Sequence, residues 1–434
     1  MRTILAILGL VLSCTAGGFA QPLGPQTYYV SPDGHDDGAG LPNTPLLTLQ
    51  AAAHQARPGD TVIARPGEYA GFVLGWDDGQ RGRTGAPIKF IGQPGAVIVS
   101  RNSKTRDGID LEPGCDDIVI QGFTVNNSSE SIDRAGIRVS GSNHVSVIGN
   151  TVSGCGTWGI FTSHSSDLLI QDNTTSGSQK QHGIYVSNSA DHARIRGNIV
   201  FGNRGSGIHL NGDLSQGDNG LITSALIENN IIHDNGAGGG SGINCDGVQN
   251  SIIRCNLLYA NRGSGISLFH EDGAAGSTGN LVVNNTIVMA PAARFAINVN
   301  SQSTGNVIFN NILLDPNPLA GSIKVTPDSR DGLVSDYNIV EDRFSPDGDE
   351  RCGLRDWQSN TAQDKHSRVA STTEIFLNVG GNDFHLFPSS VAAHGGVAGL
   401  SGRNAPQVDL QGNVFGPAWD IGAYRLVPAP VTAR

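Results

Sequence analysis

The chain has 434 residues, and 28 Lys+Arg against 39 Asp+Glu give a formal net charge of −11 at pH 7 with only 15% charged residues. No Lys/Arg run is present to follow a phosphate backbone, which argues against a nucleic-acid partner. The 59 glycines and 2 methionines point to many turns between short strands, not to a charge-rich helical protein or an acidic disordered tail.

Residues 1–20 read as a signal peptide: Met1-Arg2 starts positive, Ile4 to Leu12 is apolar, and Gly18-Phe19-Ala20 is a small-x-small cleavage site. The expected location is therefore secreted or periplasmic. The apolar run is too short for a bilayer, which needs about 20 residues, and no later segment is apolar enough to span one. Cys14 follows Leu12-Ser13, a poor lipoprotein box, so anchoring there is the lesser reading. Residues 21–105 are expected to form an N-terminal cap and first coils. Thr48 to Ala56 is the one plausible helix, followed by the turn Arg57-Pro58-Gly59-Asp60 and a strand from Thr61 to Arg65. Asp36-Asp37, Asp77-Asp78 and Asp116-Asp117 read as turns.

Over residues 106–340 the sequence repeats. Gly-Ile or Ala-Ile opens a short strand at Gly108, Gly136, Gly159, Gly183, Gly207, Gly242, Gly265 and Ala296, at spacings of 28, 23, 24, 24, 35, 23 and 31. A second apolar run then ends at Asn150, Asn173, Asn198, Asn230, Asn256, Asn285 or Asn311. Insertions account for the long units, around Asn211 to Gly220 and His270 to Gly279. A period near 23 without a helical stretch or a Leu ladder is a β-solenoid signature, and parallel crossovers are overwhelmingly right-handed. The fold expected is all-β, a right-handed parallel β-helix with a helical N-terminal cap. Its asparagines should stack coil above coil at a turn that tolerates left-handed geometry. Residues 341–434 lose the repeat and should form an irregular C-terminal cap. Gly236 to Gly240 is a turn, since no strand leads into a helix there.

Tyr28-Tyr29-Val30-Ser31-Pro32-Asp33-Gly34, Pro58-Gly59-Asp60-Thr61-Val62, Gly67-Glu68-Tyr69 and Gly85-Ala86-Pro87-Ile88 resemble the entry region of secreted right-handed parallel β-helix proteins, the pectate-lyase-like superfamily. Asp383-Phe384-His385-Leu386 and Asp420-Ile421-Gly422-Ala423-Tyr424 are similar to a C-terminal segment of the same group. The resemblance covers nearly the whole mature chain and implies the fold. The scaffold carries lyases, hydrolases, epimerases and adhesins, so the resemblance does not choose an activity. The calcium-dependent lyases of the group use an Asp cluster and a Lys or Arg base, which have no residue-by-residue match here.

Alternation along each strand puts Asp110/Glu112, Arg138/Ser140, Phe161/Ser163, Tyr185/Ser187, His209/Asn211, Asn244/Asp246, Ser267/Phe269 and Asn298/Asn300 outward, and Leu111, Val139, Thr162, Val186, Leu210, Cys245, Leu268 and Val299 inward. An extended polysaccharide fits such a face. The reading favours a lyase cleaving an acidic glycan by β-elimination, with Lys180, His182 or His209 as base. Tyr185, Asn211, Asn244, Arg138, His270 and Glu271 would bind substrate, and Asp213 with Asp246 would hold Ca²⁺. A glycoside hydrolase pairing Asp213 or Asp246 with Glu271 or Asp272 is the alternative enzyme. A non-catalytic glycan-binding protein, stacking sugars on Trp158, Phe161, Tyr185 and Phe269, is the alternative of another class. The partner expected is thus a polysaccharide met by a monomer. Cys115, Cys155, Cys245, Cys255 and Cys352 are odd in number and match no CxxC metal spacing; they read as small buried hydrophobes, with no disulfide assignable.

Overall fold

The computed structural model describes residues 24–75 and 81–426; the expected signal peptide, Cys14 and the Asp77-Asp78 turn lie outside them. Each repeat supplies one strand to each of three parallel sheets. Ala135–Ser140 enters the second sheet, Ser146–Ile148 the first, Thr151–Ser153 the third, and Trp158–Ser163 returns to the second one coil on. The sheets have 12, 11 and 12 strands, and neighbours within each come from successive coils. This is a right-handed parallel β-helix.

Strand alternation explains the core. Ile137 pairs with Ile160, Ile160 with Ile184, Ile184 with Ile208, and the stack continues through Ile243, Ile266, Ile297 and Ile323, all fully buried. Each such side chain contributes roughly 2 kcal/mol through burial. Every residue expected to point inward is buried, from Leu111 to Val299. Coils lie on both sides of the repeat region 106–340. Thr27–Val30 is the first strand of the first sheet, and Arg368–Val369 the last of the third. The outer coils keep apolar alternation without the Gly-Ile dipeptide, as in Thr61–Ala64, where Val62 and Ala64 are buried.

The asparagines form a continuous ladder. Nδ2 of Asn150 donates to Oδ1 of Asn173, and the pattern repeats through Asn198, Asn230, Asn256, Asn285 and Asn311 to Asn338. The turn holds a left-handed residue, but it is not the ladder asparagine. Positive φ falls on the residue before each: Gly149, Asp172, Gly197, Asn229, Cys255, Asn284, Asn310 and Tyr337. That residue makes the bend, which leaves the ladder amide pointing inward to bond backbone and neighbour.

Helix Leu49–Gln55 caps the first coils, with the Thr48 hydroxyl accepting from Ala51 N–H. At the other end Trp357 of Leu354–Thr361 stacks on Phe344. The last segment folds back along the coils: Asn284 Nδ2 donates to the carbonyls of Asp420 and Gly422. The five described cysteines are free, and four are buried.

Candidate functional site

The outer face of the second sheet carries two columns of polar and aromatic side chains, all of them buried or half-buried. Its central column runs Asp110, Arg138, Phe161, Tyr185, His209, Asn244, Ser267, Asn298, Lys324, one residue per coil. A flanking column brings Glu112, Ser140, Ser163, Ser187, Asn211, Asp246 and Phe269. Adjacent rungs are about 4.8 Å apart, so these side chains touch.

Aromatic rings gather in the middle of this face. Trp158 stacks on Phe161 at 4.4 Å between centroids, Phe161 meets Tyr185 edge-on at 5.4 Å, and His182 stacks on His209 at 4.6 Å. Tyr185 touches both imidazoles, at 5.0 and 4.8 Å. Trp158 Nε1 is fixed by Gln181 Oε1 at 2.6 Å.

The two histidines share one tautomer. The backbone N–H of Ser206 donates to His182 Nδ1 at 2.9 Å, and Asn244 Nδ2 donates to His209 Nδ1 at 2.8 Å. A ring nitrogen that accepts carries no proton, so each neutral ring bears its hydrogen on Nε2. Burial pushes His182 down to about 4. Burial and then the neighbouring His182 ring hold His209 well below the usual histidine range. Both rings are therefore neutral N–H donors at neutral pH. The expected role of His182 or His209 as a base conflicts with this bonding, since the accepting nitrogen is already occupied in each.

Beside the rings, Asn211 Nδ2 donates to Tyr185 Oη at 3.1 Å and to Asp272 Oδ2 at 3.2 Å. Burial pushes the Tyr185 phenol up to about 12, partly offset by the Asn211 hydrogen bond and reinforced by Asp213, Asp272 and Asp246. It keeps its proton. Asp272 arrives on the second insertion, which meets the first where Leu214 N–H donates to Asp272 O at 2.8 Å and Ala274 N–H to Gly220 O at 2.9 Å. These two insertions form a wall beside the sheet.

Asp246 holds the wall in place. Its carboxylate accepts the N–H groups of Glu271, Asp272 and Gly273 at 2.9, 3.0 and 3.0 Å. Three N–H dipoles converging on one carboxylate supply the positive potential that a cation would otherwise bring. Asp213 accepts from Ser215 N and Oγ within its own turn. These engagements do not fit the expected Ca²⁺ site of Asp213 and Asp246. Among the described residues no three His, Cys, Asp or Glu side chains group to hold a metal ion.

The remaining expected residues divide. Arg138 lies on the face, with Nη1 bonded to Asp110 Oδ1 at 2.8 Å and Glu112 Oε1 at 3.0 Å, so its charge is committed within the sheet. Burial, the adjacent Asp107 and then the opposing pull of Arg138 leave Asp110 raised to about 6. Lys180 is exposed in the turn before His182. His270 donates from Nδ1 to Ser301 O at 3.0 Å, and the exposed Glu271 contributes its backbone to the Asp246 anchor. Ser206 and Lys324 were not among the expected binding or catalytic residues, and Asp272 was expected only as a carboxyl group of the alternative glycosidase. Gly321-Ser322-Ile323-Lys324-Val325 continues the repeat with Ser in place of Gly, and that substitution hid Lys324.

A family model described as "Periplasmic copper-binding protein (NosD)" matches residues 77–230. The uncharacterized protein YwoF of Bacillus subtilis (strain 168) is 29% identical over 321 residues, covering 60% of this chain and 68% of that protein. Pectate lyase PEL9 of Emericella nidulans is 51% identical over a short stretch of 41 residues, 9% of this chain and 10% of the enzyme. Among solved structures, pectate lyase Pel9A superposes with a TM-score of 0.63 at 18% identity, covering 93% of this chain and 97% of that one. The likeness to Pel9A is one of fold, a parallel β-helix. No described helix is long and apolar enough to cross a membrane.

Proposed function

We propose that the protein acts on an acidic polysaccharide lying along the outer face of the second sheet and cleaves it by β-elimination. The observation that carries this reading is the pair of neutral imidazoles, His182 and His209, each with Nδ1 accepting a hydrogen bond, set beside a protonated phenol. Removing the proton α to a uronate carboxyl throws charge onto the carboxylate oxygens, and preorganised neutral donors stabilise that charge as it forms. In this scheme Nε2–H of His182 and His209 meets the carboxylate. Asp272 takes the α-proton, and Tyr185 gives its proton to the glycosidic oxygen as the C–O bond breaks and the ring double bond forms. Asn211, bonded to both Tyr185 and Asp272, keeps acid and base in register. Lys180 sits at the rim. The lyase function of the named Pel9A and PEL9 proteins supports the same class.

A hydrolase is the second reading, favoured by one observation: Asp213 and Asp272 are carried on the two insertion loops that meet where Leu214 N–H bonds Asp272 O, beside Asn211. The test is to incubate purified protein with acidic and neutral polysaccharides, with and without chelator, following ultraviolet absorbance of an unsaturated uronate and reducing ends in parallel. Absorbance unaffected by chelator is expected. Reducing ends without absorbance would replace elimination by hydrolysis. Silence on both with binding retained would leave a non-catalytic glycan-binding protein that uses the Trp158, Phe161 and Tyr185 platform.

A further inference from the structure

Beyond the ring cluster, the same central column descends from His209 through Asn244, Ser267 and Asn298 to Lys324. Four rungs at about 4.8 Å place Lys324 roughly 19 Å along the face. There the sheet opens into a cleft of about 380 Å³ whose lining includes Arg294, Asn298, Asn300, Lys324 and Arg351. No carboxylate lines it. In a chain with net charge −11, three cations converging on one acid-free cleft run against the overall charge balance.

The cations are differently held. Arg351 lies over the Phe295 ring with its guanidinium carbon 4.9 Å from the centroid, and Nε and Nη2 donate to Leu319 O at 3.1 and 3.0 Å. Its plane is thereby set before any ligand arrives. Arg294 and Lys324 have no ion-pair partner among the described residues. Arg138, at the opposite end of the column, already faces Asp110 and Glu112. Within one column, then, a cation is neutralised at one end and left open at the other.

We infer that the cleft formed by Lys324, Arg294 and Arg351 is a subsite for an anionic group, a carboxylate or sulfate, on a sugar of the same glycan strand that crosses the ring cluster. This rests on the proposed binding of a polysaccharide along the face. It assigns the choice between acidic and neutral glycans to a position several rungs from the chemistry. Guanidinium and ammonium donors bond anionic oxygens more strongly than neutral hydroxyls, whereas the aromatic platform is indifferent to charge.

The experiment measures binding of the full chain to oligogalacturonate, a sulfated oligosaccharide and a neutral xylo-oligosaccharide across a salt series, comparing wild type with Lys324→Gln and Arg294→Gln. Neither residue belongs to the proposed catalytic set. Affinity for one or both anionic probes is expected to fall at least about tenfold in each variant, with a shallower salt dependence and unchanged binding of the neutral probe. Loss confined to oligogalacturonate assigns the site to carboxylate, and loss confined to the sulfated probe assigns it to sulfate. Variants that bind anionic probes like wild type would overturn the subsite while leaving the glycan face standing. Failure of wild type to bind any probe would overturn the glycan reading, and the subsite with it.

Discussion

Acid should weaken the folded protein through its two buried histidines, and the share due to His182 can be isolated. In the folded state burial lowers His182 from 6.5 to about 4, so the unfolded chain binds a proton that the folded chain refuses between those values. Stability is therefore full above pH 6.5 and is lost as pH falls toward 4. A displacement of that size corresponds to about 3 kcal/mol. The ring keeps a partly exposed edge, and discounting for solvent brings the expected effect to about 2 kcal/mol. Asp110 and Asp315, raised to about 6 and about 7 chiefly by burial, work in the opposite sense. They favour the fold below the usual carboxylate range and lose that contribution as pH rises through their folded values. The wild-type profile is thus a sum, and the informative quantity is the difference between wild type and His182→Gln. Urea unfolding followed by circular dichroism at pH 7 and pH 4.5 should show wild type losing about 2 kcal/mol more than the variant. Equal losses in both proteins, or a His182 proton resonance titrating near 6.5, would refute the argument that Ser206 N–H and burial hold this ring neutral.

Asn230→Ala removes a fully buried side chain that donates to Ile195 O and Asn256 Oδ1 and accepts from Asn198 N and Nδ2; a loss of about 3 kcal/mol in urea unfolding is expected. Tyr185→Phe leaves Asn211 with its Asp272 partner, so stability should change by less than about 1 kcal/mol. Turnover of an acidic glycan should fall about 100-fold or more in steady-state kinetics if the phenol protonates the leaving oxygen. Asp246→Ala strands three N–H groups, should cost about 3 kcal/mol, and should open residues 270–279 to proteolysis. Chelator should leave both the wild-type melting temperature and its cleavage pattern unchanged, whereas a drop in melting temperature would indicate a cation in the wall.

Most of the architecture could be read from the recurrence of Gly-Ile and Asn because one coil's solution is reused by the next. Both fail at the ends. In Thr61–Ala64 the alternation survives and the dipeptide does not, so the solenoid extends past its marker. Ladder position was legible, but the bend was not: Gly, Asp, Asn, Cys and Tyr all occupy it, and no residue type marks it. On the site face, the column order of Tyr185, His209 and Asn244 followed from strand parity. The state of the histidines did not, because the donor to His182 is a backbone N–H one coil away. Asp246 looked like a free ligand because the loop that fills it returns from 25 residues downstream. Both errors arise from contacts between coils, which no local pattern records.

Solenoids ordinarily pass information only between adjacent turns, so any one turn can in principle loosen without consulting those farther off. The two insertion loops break that rule. Leu214, just after the Ile208–Asn211 strand, is tied to Asp272, just after the Ser264–Phe269 strand, with the Ser241–Asp246 coil between them clasped by its own Asp246. Three turns are thereby riveted into one mechanical block beneath the rings. Hydrogen exchange should find these turns opening together and more slowly than the turns on either side, so the face would remain intact while the ends of the rod breathe.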